Sequence, residues 1–226
     1  MKNILVIAAH PDDEILGVGA TVAKHVNNGD RCFALVLGEG ITSRYENKNQ
    51  VNNIEVEDLH KDANGVAKII GYEDLYLENL PDNRFDSLNL LDIIKVIEAY
   101  LNKLKPDIIY THHGGDLNID HKKIYEAVLT ATRPINKEQV KEIYCFETVS
   151  STEWNFEYKN SFRPNYFVDV TETLNKKLKA MKYYKSEIRD FPHPRSLESL
   201  VASAKVWGSV IGVKYAEAFE VVRIIT

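Results

Sequence analysis

Two cysteines in 226 residues, Cys32 and Cys145, leave no disulfide framework to build on. Each sits inside an apolar, strand-like run and reads as a small buried hydrophobe in a reducing compartment. Positive charge is not in excess: 28 Lys and Arg stand against 33 Asp and Glu, a net charge of -5 at pH 7. That balance gives no basic footprint for nucleic acid or an anionic membrane. Long apolar runs are missing as well. The first one, inside "MKNILVIAAH", is too short for a signal peptide or a membrane span and leads at once into structure. No internal repeat, low-complexity tract or Pro/Gly/Ser-rich linker interrupts the chain. These absences predict a cytoplasmic, globular protein with one domain over residues 1–226 and no nucleic-acid or membrane partner, and they leave an oligomer open.

What is present supports a large core. The chain is 44% hydrophobic, and a compact protein of this size removes roughly 70% of its unfolded surface from water without staples. Apolar runs at residues 4–9, 31–38, 74–79, 107–112, 143–149, 165–170 and 218–225 read as strands. Several are continuous rather than alternating, as expected where both faces of a sheet are covered. Between them lie segments with apolar spacing of three and four: 14–30, 51–71, 87–107, 120–134, 171–188 and 196–213. Strands alternating with helices predict an α/β fold with a mostly parallel sheet and helices on both faces. The polar stretch 40–56 and "NLPDNRFDS" (79–87) read as loops.

In open parallel sheets the ligand crevice lies at the carboxyl ends of the strands. That rule gathers residues 10–14, 38–45, 79–84 and 111–121. The first holds "HPDDE", a histidine and three consecutive acids where a helix begins, and these acids need a compensating positive charge. His10 and Asp13, three positions apart at such a turn, can converge on one ion. Zinc takes imidazole nitrogen and carboxylate oxygen, and catalytic sites use three protein ligands plus water acidified to a pKa of about 7. A third ligand is available from "YTHHGGDLNIDHKKI" (110–124), which offers His112, His113, Asp116, Asp120 and His121. With Asp13 committed to the metal, Asp12 is the candidate general base. Glu14 reads better as an acid countering the helix dipole. His25, His60 and His112 read as structural.

"AHPDDE" followed by a later "DH" at the end of a fourth strand resembles the PIG-L/LmbE-like zinc de-N-acetylases, which hydrolyse the acetamide of N-acetylglucosamine-type sugars and conjugates. "HHGGDLNIDH", "LPDNRFDS" and the tail "HPRSLESL…YAEAFEVVR" extend the resemblance over most of the chain. It implies a Rossmann-like fold, with His10, Asp13 and His121 holding zinc and Asp12 as base. The sequence departs from the family where many members carry His-Pro-Asp-His: here stand Asn118, Ile119, Asp120 and His121. Asparagine can donate to an oxyanion but cannot shuttle a proton at neutral pH. The acid role then falls to Asp12, helped by His113 or His193, with Asp116 a further alternative.

Asp120 is expected either to orient His121 or to cap the following helix. Arg44, Asp82, Asn83, Arg84 and Arg195 are the expected contacts to an N-acetylated sugar, with two arginines making a nucleotide- or phosphate-linked sugar an option. Fe²⁺, Co²⁺ or Mn²⁺ can replace Zn²⁺ in a His₂Asp site. A magnesium-dependent receiver-like domain has no need for His10, because magnesium prefers oxygen ligands. A nucleotide-binding module would need a G-x-G-x-x-G at the first turn, where acids stand instead. A zinc hydrolase of another amide, such as an amino-sugar thiol conjugate, stays open.

Overall fold

The computed structural model describes residues 1–40, 53–135 and 140–226. Its core strand is β1 (Asn3–Ala8), which pairs in parallel with β2 (Arg31–Gly38) on one side and β4 (Ile108–His112) on the other. Strand β3 (Asp74–Leu80) extends the sheet beyond β2, and β5 (Glu142–Phe146) extends it beyond β4. The last strand, β7 (Ala216–Ile224), runs antiparallel between β5 and β6 (Tyr166–Asp169), giving the order β3-β2-β1-β4-β5-β7-β6. The chain moves outward from β1 through β2 and β3, then returns to β4. The switch point, where a crevice opens, therefore lies between β1 and β4.

Alternate residues of β1 feed two separate cores, as the two-residue period of a strand requires. Ile4 and Val6 pack with Val18 and Val22 of α1 (Asp13–Asn27), Leu59 of α2 (Asn53–Ile70) and Met181 of α5 (Leu174–Met181). Leu5 and Ile7 pack with Ile93 and Ile97 of α3 (Leu90–Leu104) and with Ile124 and Val128 of α4 (Ile119–Ala131). Helices thus cover both faces, as expected. Helix α6 (Leu197–Ile211) adds Leu200 to the first core. Among the described residues no helix is long and apolar enough to cross a membrane.

Close packing fixes where α1 begins. A Cβ on Gly17 would lie 2.1 Å from the Phe146 ring, so only glycine lets α1 sit this near β5. One turn on, the helix backbone takes side-chain partners: Lys177 Nζ donates to the Leu16 carbonyl, while the Ala20 and Thr21 N–H groups donate to Glu217. Lys177 and Glu217 pair at 2.6 Å. This buried pair joins α1, α5 and β7, and each charge is satisfied by the other and by backbone.

Several boundaries differ from the sequence reading. Helix α2 (Asn53–Ile70) matches the helix read over 51–71, so the loop expected over 40–56 stops before Asn53; residues 41–52 lie outside the described residues. Residues 79–87 are not all loop: β3 runs to Leu80 and Phe85–Ser87 form a 3₁₀ turn. The helix expected over 171–188 is confined to Leu174–Met181. Beyond it the backbone tightens into turns that bring the buried Tyr184 hydroxyl to Glu14.

Candidate active site

The end of β1 is held on both sides. Gly38 N–H donates to the Ala9 carbonyl at 2.7 Å, and Ala9 N–H donates to Nε2 of His112, whose Nδ1 lies 3.1 Å from the Thr148 hydroxyl. His112 is therefore a buried brace, as its structural reading expected. The chain then turns sharply at Asp12, a non-glycine residue at φ 118°. Such a conformation costs about 1–3 kcal/mol and persists only where its surroundings enforce it. It sends the three consecutive acids in different directions.

Each acid finds a different partner. Asp12 Oδ2 accepts from Arg195 Nη1 at 2.9 Å. Asp13 Oδ2 accepts from His10 N–H at 2.9 Å and lies 3.3 Å from His10 Nδ1 and 3.2 Å from His121 Nε2. Glu14 accepts from the Tyr184 hydroxyl at 2.6 Å and the Asp12 N–H at 2.9 Å. Burial raises the Asp12 carboxyl well above its ordinary value; Arg195 pulls it down, while Asp13, Glu187 and Glu14 push it up. Burial also lifts Glu14 to about 7, against the Tyr184 hydrogen bond. Asp13 is buried too, yet His121 and His10 hold it well below the usual carboxylate range.

The second half of the site is the β4–α4 connection. Asn118 caps α4, accepting from Asp120 N–H at 2.8 Å, and its Nδ2 donates to Asn83 Oδ1 at 2.8 Å. Asp120 consequently neither caps the helix nor orients His121, correcting both expectations. Its carboxylate accepts from Asn83 N–H (2.7 Å) and Phe85 N–H (2.9 Å) and lies 3.0 Å from His10 Nε2. Asp120 therefore pins the 3₁₀ turn and orients His10. The carboxylate beside His121 is instead that of Asp116, with Oδ1 3.1 Å from Nδ1. Asp116 is held by the Ser151 hydroxyl and, at 2.5 Å, by the Thr152 hydroxyl. Burial opposes its charge, but His121 and these hydroxyls lower it to about 2.

The ligand atoms of His10, Asp13 and His121 all lie within 4.8 Å of one another. Both ring nitrogens of His121 are buried and close to carboxylates, yet neither makes a hydrogen bond of acceptable geometry. A buried imidazole without well-formed partners is costly unless something else takes its lone pair. Two imidazoles and one carboxylate are a fitting donor set for zinc or a similar divalent ion. Burial disfavours the charged rings, but the surrounding carboxylates outweigh it: His121 rises to about 9, and His10 well above its ordinary value through Asp120, Asp13 and Asp82. Concentrated negative charge of this kind also attracts a cation. His10, Asp82 and Asp120 form an overlapping group, but Asp120 is already committed to two backbone N–H groups.

The remaining expected residues divide. Asp82 is buried, with Oδ1 3.1 Å from His10 Nε2, and Asn83 joins it to Asn118. Arg84 is exposed on the same turn. His193 accepts the Arg195 N–H at Nδ1 and stands edge-on to Trp154. Arg195 is not a loose surface arginine: it is clamped to Asp12, to Glu187 at 3.0 Å and to the Ser150 hydroxyl at 2.7 Å. Arg44 lies outside the described residues. The structure does not bring His113 to this cluster. Its ring nitrogens face Glu220 (2.7 Å) and the Asn160 carbonyl (2.9 Å), in a different cavity of about 550 Å³. The proton-donor role expected of His113 is thereby corrected, since both nitrogens are engaged elsewhere. Glu187, Tyr184 and Ser150 carry no local sequence signal, whereas the pairing of Asp116 with His121 is suggested by their shared stretch.

Known proteins resemble this chain in sequence and in fold. The family model PIG-L, described as GlcNAc-PI de-N-acetylase, matches residues 5–132. The uncharacterized deacetylase YaiS of Escherichia coli K12 is 32% identical over 191 residues, covering 82% of this chain and 91% of its own length. Diacetylchitobiose deacetylase of Thermococcus kodakarensis is 24% identical, over 98% of this chain and 84% of its own. Among solved structures, the conserved protein TT1542 from Thermus thermophilus superposes with a TM-score of 0.79 at 20% identity, covering 100% of this chain and 97% of that one.

Proposed function

From the premise that the chain belongs to the PIG-L family of de-N-acetylases, we propose that it is a metal-dependent hydrolase that removes the acetyl group from an N-acetylated sugar or sugar conjugate. The observation that carries this reading is the convergence of His10, Asp13 and His121 within 4.8 Å, with Asp12 adjoining. These three residues would hold the ion, zinc by ligand type. When bound, it supplies a Lewis acid that polarises the amide carbonyl and eases ionisation of a water.

The chain's own residues do the rest. Asp12 takes a proton from the attacking water as the new carbon–oxygen bond forms, then returns it to the departing nitrogen as the carbon–nitrogen bond breaks. The products are acetate and the free amine. Asn118 keeps one Nδ2–H beyond the one given to Asn83, a donor available to the developing oxyanion. His193, whose Nδ1 accepts from Arg195 N–H, keeps Nε2–H as a donor toward bound sugar. Asp82, Asn83 and Arg84 supply hydroxyl contacts from the neighbouring turn. With Arg195 committed to Asp12, it is not the arginine that would hold a phosphate-linked sugar. The buried, unpaired Cys32 and Cys145 support a reducing, cytoplasmic setting.

The test is acetate release from N-acetylglucosamine, diacetylchitobiose and nucleotide-linked N-acetylated sugars, by wild type and Asp12→Ala, with metal content measured in both. Release that Asp12→Ala abolishes while metal stays bound is the expected result. Bound metal without acetate from any substrate would redirect the reading to another amide, and absence of metal binding would overturn it.

A further inference from the structure

Arg195 reaches the site from far outside residues 5–132, the stretch that carries the family match. It sits on the strap between Tyr184 and α6, whose start is capped by the Ser196 hydroxyl accepting from Ser199 N–H. Its guanidinium is immobilised from three directions, by Asp12, Glu187 and Ser150. Among the described residues it alone donates a hydrogen bond to the Asp12 carboxylate, which is 2% exposed. A carboxylate buried beside two further acids has several rotamers open to it unless one oxygen is anchored, and a charge-assisted hydrogen bond to arginine is a strong anchor.

We propose that Arg195 is the positioning residue of the general base: it fixes Asp12 through Oδ2 and leaves the other oxygen to accept the proton. The proposal rests on the reading of Asp12 as the base. It differs from a substrate-binding role, because the Nη1 and Nε edges of the guanidinium are occupied by protein. Glu187 has a part in it as well. It accepts from the same Nη1 as Asp12 and so helps to hold the guanidinium in place.

The experiment compares wild type, Arg195→Lys and Arg195→Met with metal content matched. Misplacing a catalytic group by about 1 Å can cost on the order of 100-fold, and a fall of that order in kcat for Arg195→Met, with KM little changed, is expected. Arg195→Lys should retain an intermediate rate, and free guanidinium should partly restore an Arg195→Ala variant. A raised KM with kcat intact would overturn the proposal in favour of substrate binding. A second readout does not depend on turnover: thermal unfolding of Arg195→Met, Asp12→Asn and the double variant. Losses that are not additive support the pair, and additive losses overturn it. A wild type without acetate release but with coupled stabilities would sink the deacetylase reading and leave the pairing standing.

Discussion

Two histidine–aspartate pairs stand at opposite ends of this sheet, and they differ in what surrounds the rings. At the amino end, His25 Nδ1 lies 2.9 Å from Asp30 and Nε2 lies 3.0 Å from the Tyr110 hydroxyl, so both nitrogens have well-formed partners. At the carboxyl end, His121 is equally near two carboxylates but has a good hydrogen bond to neither. The first ring is satisfied by protein alone; the second has ring nitrogens open to a further partner. Composition does not separate the two. What separates them is whether the lone pairs are already used.

The contrast can be tested by breaking each pair in turn. His121→Ala should reduce acetate release to background and remove bound metal, measured by elemental analysis and product assay. Asp116→Asn leaves the proposed ligands intact but removes the charge beside Nδ1 of His121, and should weaken metal affinity about 10–100-fold, read by competition with a chelator. His25→Ala removes partners from Asp30 and a buried tyrosine hydroxyl. It should cost about 1–3 kcal/mol of stability in urea unfolding and leave both metal content and turnover unchanged; a lost activity would erase the distinction.

The smallest effect concerns His113. Burial disfavours its charge, yet Glu220 and the Asn160 carbonyl raise its pKa. A group whose folded pKa is raised adds stability fully below its unfolded value, about 6.5, and loses it as pH climbs through the folded value. The stability gap between wild type and His113→Gln should therefore be widest below pH 6.5 and narrow in alkaline solution.

Much of this was legible in the sequence because it is local. "HPDDE" announces a turn crowded with acids, and the apolar runs fix which strand ends carry it. Parallel strand order then dictates that "NIDH" stands beside it. The contacts that were not legible join residues far apart in the chain: Asp12 with Arg195, Glu14 with Tyr184, and His10 with Asp120. No periodicity encodes such pairs, since they arise only when a sheet brings distant loops to one edge. Asp120 shows the limit well. Its position beside His121 suggests a local role, but the turn at Asn83 and Phe85 offers it two backbone donors, and those win.

The sheet order also has a consequence for how the protein is made. Among the described residues β6 pairs only with β7, and β7 also completes the edge of β5. During synthesis from the amino end, the parallel half of the sheet, with His10, Asp13 and His121, emerges before the Arg195 strap and before β7. The three residues proposed to hold an ion therefore emerge well before the arginine proposed to position the base. On that reading cleavage competence comes late, when the strap reaches Asp12.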